Sequence, residues 1–302
     1  MDEILIHSGD LTAKCPHARL LQRAGKCEAK IPKAMYRGLV AGRAQELIVK
    51  RAAEGLAVSP LDAVEITAHA TEDTFITIGQ EGRILSESID PEEMCWEITE
   101  AMGYFIETAL PELDIIPEDT HTEVPVRFTT KSGNVFESHL DVLVDLGDNN
   151  YHIIDFKWTK SLPWGYAVRS PQMAAYAHAL WDGQIYLDPF WCDVSANLVQ
   201  TTLLWTPGLM PYKRKTTITV DGEQVIKEKG DHRPKKTWFI PCVWTTEHLK
   251  SSRDWIHQEI DQRADWILKN NAPAIPDAEG CMACSSRDWC SIGHLGLEKI
   301  HG

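Results

Sequence analysis

Residues 139–176 read HLDVLVDLGDNNYHIIDFKWTKSLPWGYAVRSPQMAAY, and two apolar runs in this stretch carry carboxylates that burial alone would not select. Val142-Leu143-Val144 is bracketed by Asp141 and Asp145, and Ile153-Ile154 runs directly into Asp155-Phe156-Lys157. Gly147-Asp148-Asn149-Asn150 between them has the composition of a turn, so the two runs are expected to form a β-hairpin. Side chains alternate across a strand with period two, which sends Asp155 and Lys157 to one face. Asp141 on the neighbouring strand can join them. Asp145 shares its period-two placement, and spacing does not choose between the two. Two carboxylates and an ammonium at one spot suit a divalent metal ion, with the lysine near the group under attack. Ser170-Pro171 then offers a capped start for an amphipathic helix running to Leu180, on which Gln172 and Tyr176 share a face. Such a pair can line a cleft, with the Tyr hydroxyl near a phosphate or base; the plainer alternative is a tyrosine packed on the sheet.

Outward from this stretch the pattern is that of an ordinary globular protein. The chain has 302 residues, 43% of them hydrophobic and 25% charged, enough for one large domain with a substantial core and typical in composition. Neither an internal repeat nor a low-complexity linker divides it. We expect a single domain over residues 1–302, with a helical part at 1–110, a sheet core at 120–245, and a terminal helix and cysteine segment at 246–302. Tyr36 to Leu56 has apolar residues at helical spacing (Leu39, Ala44, Leu47, Ile48, Ala52), with Gly42 permitting close packing. Pro91 to Leu110 repeats the pattern with Met94, Ile98, Met102, Phe105 and Ile106. Glu123 to Phe128 alternates as a strand, and Ser132-Gly133-Asn134 turns it into the strand of Asp141. Further strands are expected over Asn197–Trp205, Lys215–Val225 (turning at Asp221-Gly222) and Trp238–Trp244. Residues 206–236 should project as a charged hairpin, and Thr246–Lys269 should form a long amphipathic helix.

No apolar run approaches a membrane span and Met1-Asp2-Glu3 opens no signal peptide, so no membrane partner and a cytoplasmic location are expected, the host cytoplasm if the source is viral. The net charge of −14 argues against an extended basic surface for nucleic acid. It is compatible with a phosphate-handling site whose metal ions offset its carboxylates. Basic residues do gather at Lys213-Arg214-Lys215 and Arg233-Pro234-Lys235-Lys236, where a solvated loop is the plain alternative.

Eight cysteines without an export signal do not suggest a disulfide framework. Cys27, Cys95, Cys192 and Cys242 are scattered. Cys281, Cys284 and Cys290 have the spacing C-x2-C-x5-C behind the breakers Pro273, Pro276 and Gly280, which points to a metal centre with a fourth ligand from elsewhere. Zinc and iron–sulphur sites both use four cysteines, and spacing does not separate them.

The ordered set of a strand Asp, a hairpin, Asp-x-Lys and Gln-x-x-x-Tyr resembles the RecB-type branch of the PD-(D/E)xK nucleases. The segment from Ser8 to Cys15-Pro16, taken with the C-terminal cysteines, is similar to the iron–sulphur subset that includes AddB-type helicase–nucleases and CRISPR-associated exonucleases. The resemblance implies an α/β, restriction-endonuclease-like core, a mixed central sheet flanked by helices. It also implies a [4Fe–4S] cluster on Cys15, Cys281, Cys284 and Cys290, with Cys27 in reserve, clasping the two ends of the chain. By the same resemblance Asp141 and Asp155 hold Mg²⁺ or Mn²⁺, Lys157 positions the attacking water or steadies developing charge, and Gln172 and Tyr176 orient the strand. Family members carry Gly-x-x-x-His on an early helix with a metal-binding His. Here the offset gives Gly42-Arg43-Ala44-Gln45-Glu46, so Glu46 is the expected third metal ligand, an oxygen donor acceptable to either ion.

The implied activity is metal-dependent exonucleolytic hydrolysis of DNA at single-stranded ends, without a helicase motor and with recombination or repair proteins as partners. Two other readings stay open: a non-catalytic iron–sulphur protein that binds DNA ends, prompted by the absent His, and a zinc-stapled interaction protein.

Overall fold

Asp145 starts the turn that makes the central hairpin. Its Oδ1 accepts the Gly147 N–H at 2.8 Å, the Asn150 N–H donates to the Gly147 carbonyl at 2.9 Å, and Gly147, Asp148 and Asn149 all take positive φ (78°, 53° and 58°). Gly, Asp and Asn are the residues that visit this region at least cost. The turn joins β5 (Val135–Asp145) to β6 (Asn150–Trp158), as the sequence led us to expect. The computed structural model that shows this describes residues 4–13, 15–25, 30–81, 83–85, 91–159, 165, 169–206, 215–220, 223–228 and 238–273.

Around the hairpin lies an eight-stranded mixed sheet. Its other members are β1 (Leu5–Ile6), β4 (Thr120–Thr129), β7 (Gly183–Leu187), β8 (Phe190–Val194), β9 (Leu198–Thr206) and β12 (Trp238–Thr245). The order is β12-β9-β6-β5-β4-β7-β8, with β1 beside β5. β6 runs parallel to β9 and β1 parallel to β5; the remaining pairs are antiparallel. Two small sheets stand apart from it: β2 (Lys30–Ile31) with β3 (Ile84–Leu85), and the hairpin of β10 (Lys215–Val220) with β11 (Glu223–Glu228).

Helices cover both faces. α3 (Lys33–Ala53), α4 (Ala63–Gln80) and α5 (Pro91–Thr108) lie on one side. There Val40, Ala44 and Ile48, at spacings of four, meet Ile98, Met102 and Phe105 over Val142, Val144, Ile154 and Phe156 of the sheet. α6 (Pro171–Asp182) and α7 (Thr246–Leu268) cover the other, where Met173, Ala177, Ile256 and Ile260 pack on Phe136, Leu140, Leu143 and Ile153. Each fully buried Leu, Ile or Phe contributes about 1.5–3 kcal/mol, so both layers are held by their apolar stripes.

Two local features add to this frame. α1 (Ser8–Thr12) has His7 as its N-cap residue, whose N–H donates to Asp10 Oδ2 at 2.9 Å. Asp10 also pairs with Arg19 (2.8 Å) and Arg23 (2.5 Å) of α2 (Pro16–Arg23), so it ties two helices together as well as ending one. α4 was not anticipated. Its buried residues Ala63, Ile66, Ala70, Thr74 and Ile78 keep helical spacing, but the exposed Val64, Phe75 and Ile76 blur the stripe. Among the described residues no helix is long and apolar enough to cross a membrane. Cys27, Cys281, Cys284 and Cys290, the expected ligands apart from Cys15, lie outside the described residues.

Candidate active site

The hairpin strands pair only as far as Val142 opposite Ile154. Continuing that register would set Asp141 opposite Asp155. Instead β6 leans away from β5, and the Phe156 N–H donates to Asp141 Oδ2 at 2.7 Å; β1 pairs with β5 farther along, at Val135 and Phe136. The sheet therefore forks at these two aspartates.

The other neighbour of β5 is distorted at the same level. β4 and β5 pair at Thr122–Val142 and at Val124–Leu140, skipping the step between them. That step is Glu123 facing Asp141, and Glu123 has φ 51°. The strand changes face there: Leu140 belongs to the core beside α6 and α7, Val142 to the core beside α3 and α5. This break in the ladder, with the register unchanged on either side, re-aims the side chains there. It puts Glu123 and Asp141 in one cleft of about 630 Å³ with Glu46, Asp155, Lys157 and Gln172.

Asp155 is 1% exposed and its Oδ2 pairs with Lys157 Nζ at 2.5 Å, as same-face placement requires. Burial pulls the Lys157 ammonium toward deprotonation, but Asp155 and Asp141 outweigh it and raise its pKa. Lys157 is thus a fixed cation. Asp141 is pushed up to about 7, first by burial and then by Asp155, against Lys157 and the Phe156 N–H. Glu46, on α3, is pushed up to about 9 by burial, Asp141 and Glu123, with Arg43 opposing. Burial and neighbouring carboxylates both favour the neutral form of such groups, and Lys157 and Arg43 only partly offset this.

Gln172 Nε2 donates to the Tyr176 hydroxyl at 2.8 Å, so the i, i+4 pair forms. Only Gln172 lines the cleft. Tyr176 is 2% exposed and lies beneath it, its pKa pushed up to about 12 by burial and then by Asp155 and Asp141. Its hydroxyl meets the cleft through Gln172, which bonds to it. Asp145, indistinguishable from Asp141 by spacing, is spent on the turn.

The cleft wall also contains residues the sequence did not single out. Glu123 read as the first residue of a strand, and nothing in the alternation signals its left-handed backbone. Asp73 lies on the unanticipated helix, and Arg43 was visible only as a neighbour of Glu46. Among the described residues, six carboxylates line the cleft (Glu46, Asp73, Glu81, Glu123, Asp141, Asp155) against three cations (Arg43, Arg83, Lys157). Among the described residues no three His, Cys, Asp or Glu side chains are grouped closely enough to hold a metal ion as they stand. The reason is visible in their present partners: Phe156 N–H for Asp141, Lys157 for Asp155 and Arg43 for Glu46. Cys15 caps α2, is partly exposed and forms no disulfide. The helix it begins touches the far end of the described chain, where the His17 N–H donates to the Pro273 carbonyl at 3.3 Å.

A family model described as the PD-(D/E)XK nuclease superfamily matches residues 13–291. Among solved structures, one titled "Crystal structure of SSO0001" aligns with a TM-score of 0.40 at 9% identity, covering 97% of this chain and 88% of that one. None of the curated proteins compared matches the chain.

Proposed function

Because the chain belongs to the PD-(D/E)XK nuclease superfamily, we propose that it is a divalent-metal-dependent deoxyribonuclease that degrades DNA from single-stranded ends. Its mixed sheet between helical layers fits the restriction-endonuclease-like core of that superfamily. The observation that carries the reading is the fork: Asp141 stands across from Asp155-x-Lys157 at the floor of an open cleft.

The donor set fits Mg²⁺ or Mn²⁺. Asp141, Asp155 and Glu46 offer hard carboxylate oxygens, and a cation there would offset the burial and mutual repulsion that raise the pKa of Glu46 and Asp141. Either ion, when bound, supplies Lewis acidity toward the scissile phosphate and a lowered pKa for water. Lys157, permanently charged, steadies negative charge that builds on the phosphate and does not serve as a base. Gln172, held by Tyr176, keeps one amide edge toward the cleft for the strand. The preference for single strands, attack from an end, and work alongside recombination or repair proteins follow the branch of the superfamily that the motif order resembles.

The same resemblance assigns Cys15, Cys281, Cys284 and Cys290 to a [4Fe–4S] cluster. In support, Cys15 presents an unpaired thiol, and its helix meets Ala272 and Pro273 shortly before the cysteine segment in sequence.

Lys157→Ala tests the activity. Digestion of end-labelled single-stranded DNA in Mn²⁺ should fall by about 10²- to 10³-fold, the usual loss of one electrostatic contact to the transition state, with the circular dichroism and melting of the folded protein retained. A Lys157→Ala protein that cleaves like the wild type refutes the assignment.

A further inference from the structure

Arg43 has no role in the scheme above, yet it occupies the centre of the cleft's charge. Three elements hold its guanidinium: Glu46 of α3 (3.2 Å), Asp73 of α4 (3.3 Å) and Glu123 of β4 (3.0 Å). It is not sealed in. The side chain remains 31% exposed, and a Cβ built on the preceding Gly42 would find nothing within 4 Å, so open cleft space adjoins it. A guanidinium is always charged, and its planar fork grips the paired oxygens of a carboxylate or a phosphate equally well. Its carboxylate partners here include Glu46, one of the three proposed to hold the metal ion. Charge on Glu46 that is neutralised by a divalent ion no longer holds Arg43.

Resting on the nuclease reading, we propose that Arg43 is a phosphate-binding residue held in reserve by Glu46, Asp73 and Glu123, and freed toward the backbone of the bound strand when Glu46 and Glu123 are drawn to a cation. Metal and strand then favour one another, because each removes a competitor of the other. Coupling of this sort is reciprocal. It also explains how a cleft with twice as many carboxylates as cations accepts a polyanion: Arg43 becomes available only once its carboxylates are neutralised. The competing role for Arg43 is a mere clamp between α3, α4 and β4, and the two roles predict different signs.

The experiment titrates Mn²⁺ into the full chain by calorimetry and, separately, a fluorescent single-stranded oligonucleotide in Ca²⁺. In Arg43→Ala, Mn²⁺ should bind about tenfold more tightly, since a positive charge beside the ligands is gone, and the oligonucleotide about tenfold more weakly. Arg43→Lys keeps the charge and loses the fork: Mn²⁺ affinity should stay within about twofold while oligonucleotide binding still drops. Both affinities falling together, or neither changing, would overturn the proposal. Should Arg43→Ala melt before it can be titrated, Arg43→Gln is held to the same two signs. Failure of the nuclease reading looks different: the wild type takes up no Mn²⁺, or Asp155→Asn takes up as much. If the wild type binds Mn²⁺, Asp155→Asn does not, and Arg43→Ala matches the wild type, only the Arg43 assignment is lost.

Discussion

His178 has no part in the cleft, yet it gives a clear pH signature. It is 1% exposed, faces Trp181 and His257 at ring distances of 5.4 and 6.4 Å, and pairs through Nε2 with the Ser252 hydroxyl at 3.1 Å. Burial first, and then the positive charges of His257 and Arg253, push its pKa down to about 3. An unfolded histidine titrates near 6.5. Between those values the unfolded chain binds a proton that the folded chain refuses, so stability falls as pH falls. The contribution is fully present above about pH 6.5 and is lost toward about pH 3, at up to about 1.4 kcal/mol per pH unit for the one proton. His257, lowered by burial and by Arg253, acts in the same direction. Denaturant unfolding at successive pH values should therefore show a steep acid limb, and His178→Gln should flatten it. An unchanged limb in that variant would show that other groups govern acid unfolding.

At the scale of elements, the break in pairing where β4 meets β5 sets the site. Glu123 holds φ 51° in a strand interior, a conformation that costs a non-glycine residue about 1 kcal/mol or more. That backbone turns its carboxylate to Arg43 at 3.0 Å. Strain of this kind persists where a functional group must be aimed. Glu123→Gly should consequently keep or raise stability, by up to about 1 kcal/mol, because glycine takes positive φ freely. The same change should weaken Mn²⁺ binding by removing a carboxylate from the cleft. Glu123→Val should be markedly less stable than either, since a β-branched side chain fits this region worst. Equal melting of all three proteins would remove strain from the account of this break.

The molecule as a whole is closed by contacts between its ends. β1 adds to the sheet beside β5. Asp10 fastens α1 to α2, and His17 at the start of α2 reaches the carbonyls of Ala272 and Pro273. A cluster joining Cys15 to the C-terminal thiols would reinforce this closure, much as a cross-link restricts the unfolded chain. Anaerobically purified protein should contain about four iron and four sulphide per chain, the content of one [4Fe–4S] centre. Cys15→Ser should lose iron and melt at a lower temperature. Zinc without iron in the wild type would replace this centre by a structural zinc site.

How much of this was legible beforehand depends on the range of the forces involved. The hairpin, the shared face of Asp155 and Lys157, and the bonded pair of Gln172 with Tyr176 follow from periods of two and 3.6 and from turn chemistry. Those are interactions between residues a few positions apart, and the order of motifs they produce already pointed to the superfamily. Spacing did not separate Asp141 from Asp145, which the motif order alone decided, and the face on which Tyr176 is buried was not legible, nor was the gathering of Glu123 and Asp73 about Arg43. They arise where the sheet forks and a strand residue takes positive φ, which breaks the alternation that sequence reading assumes. Partners such as Arg43 and Glu123 lie in segments far apart along the chain, and only the packing of α3 and α4 over that fork brings them within reach of one another.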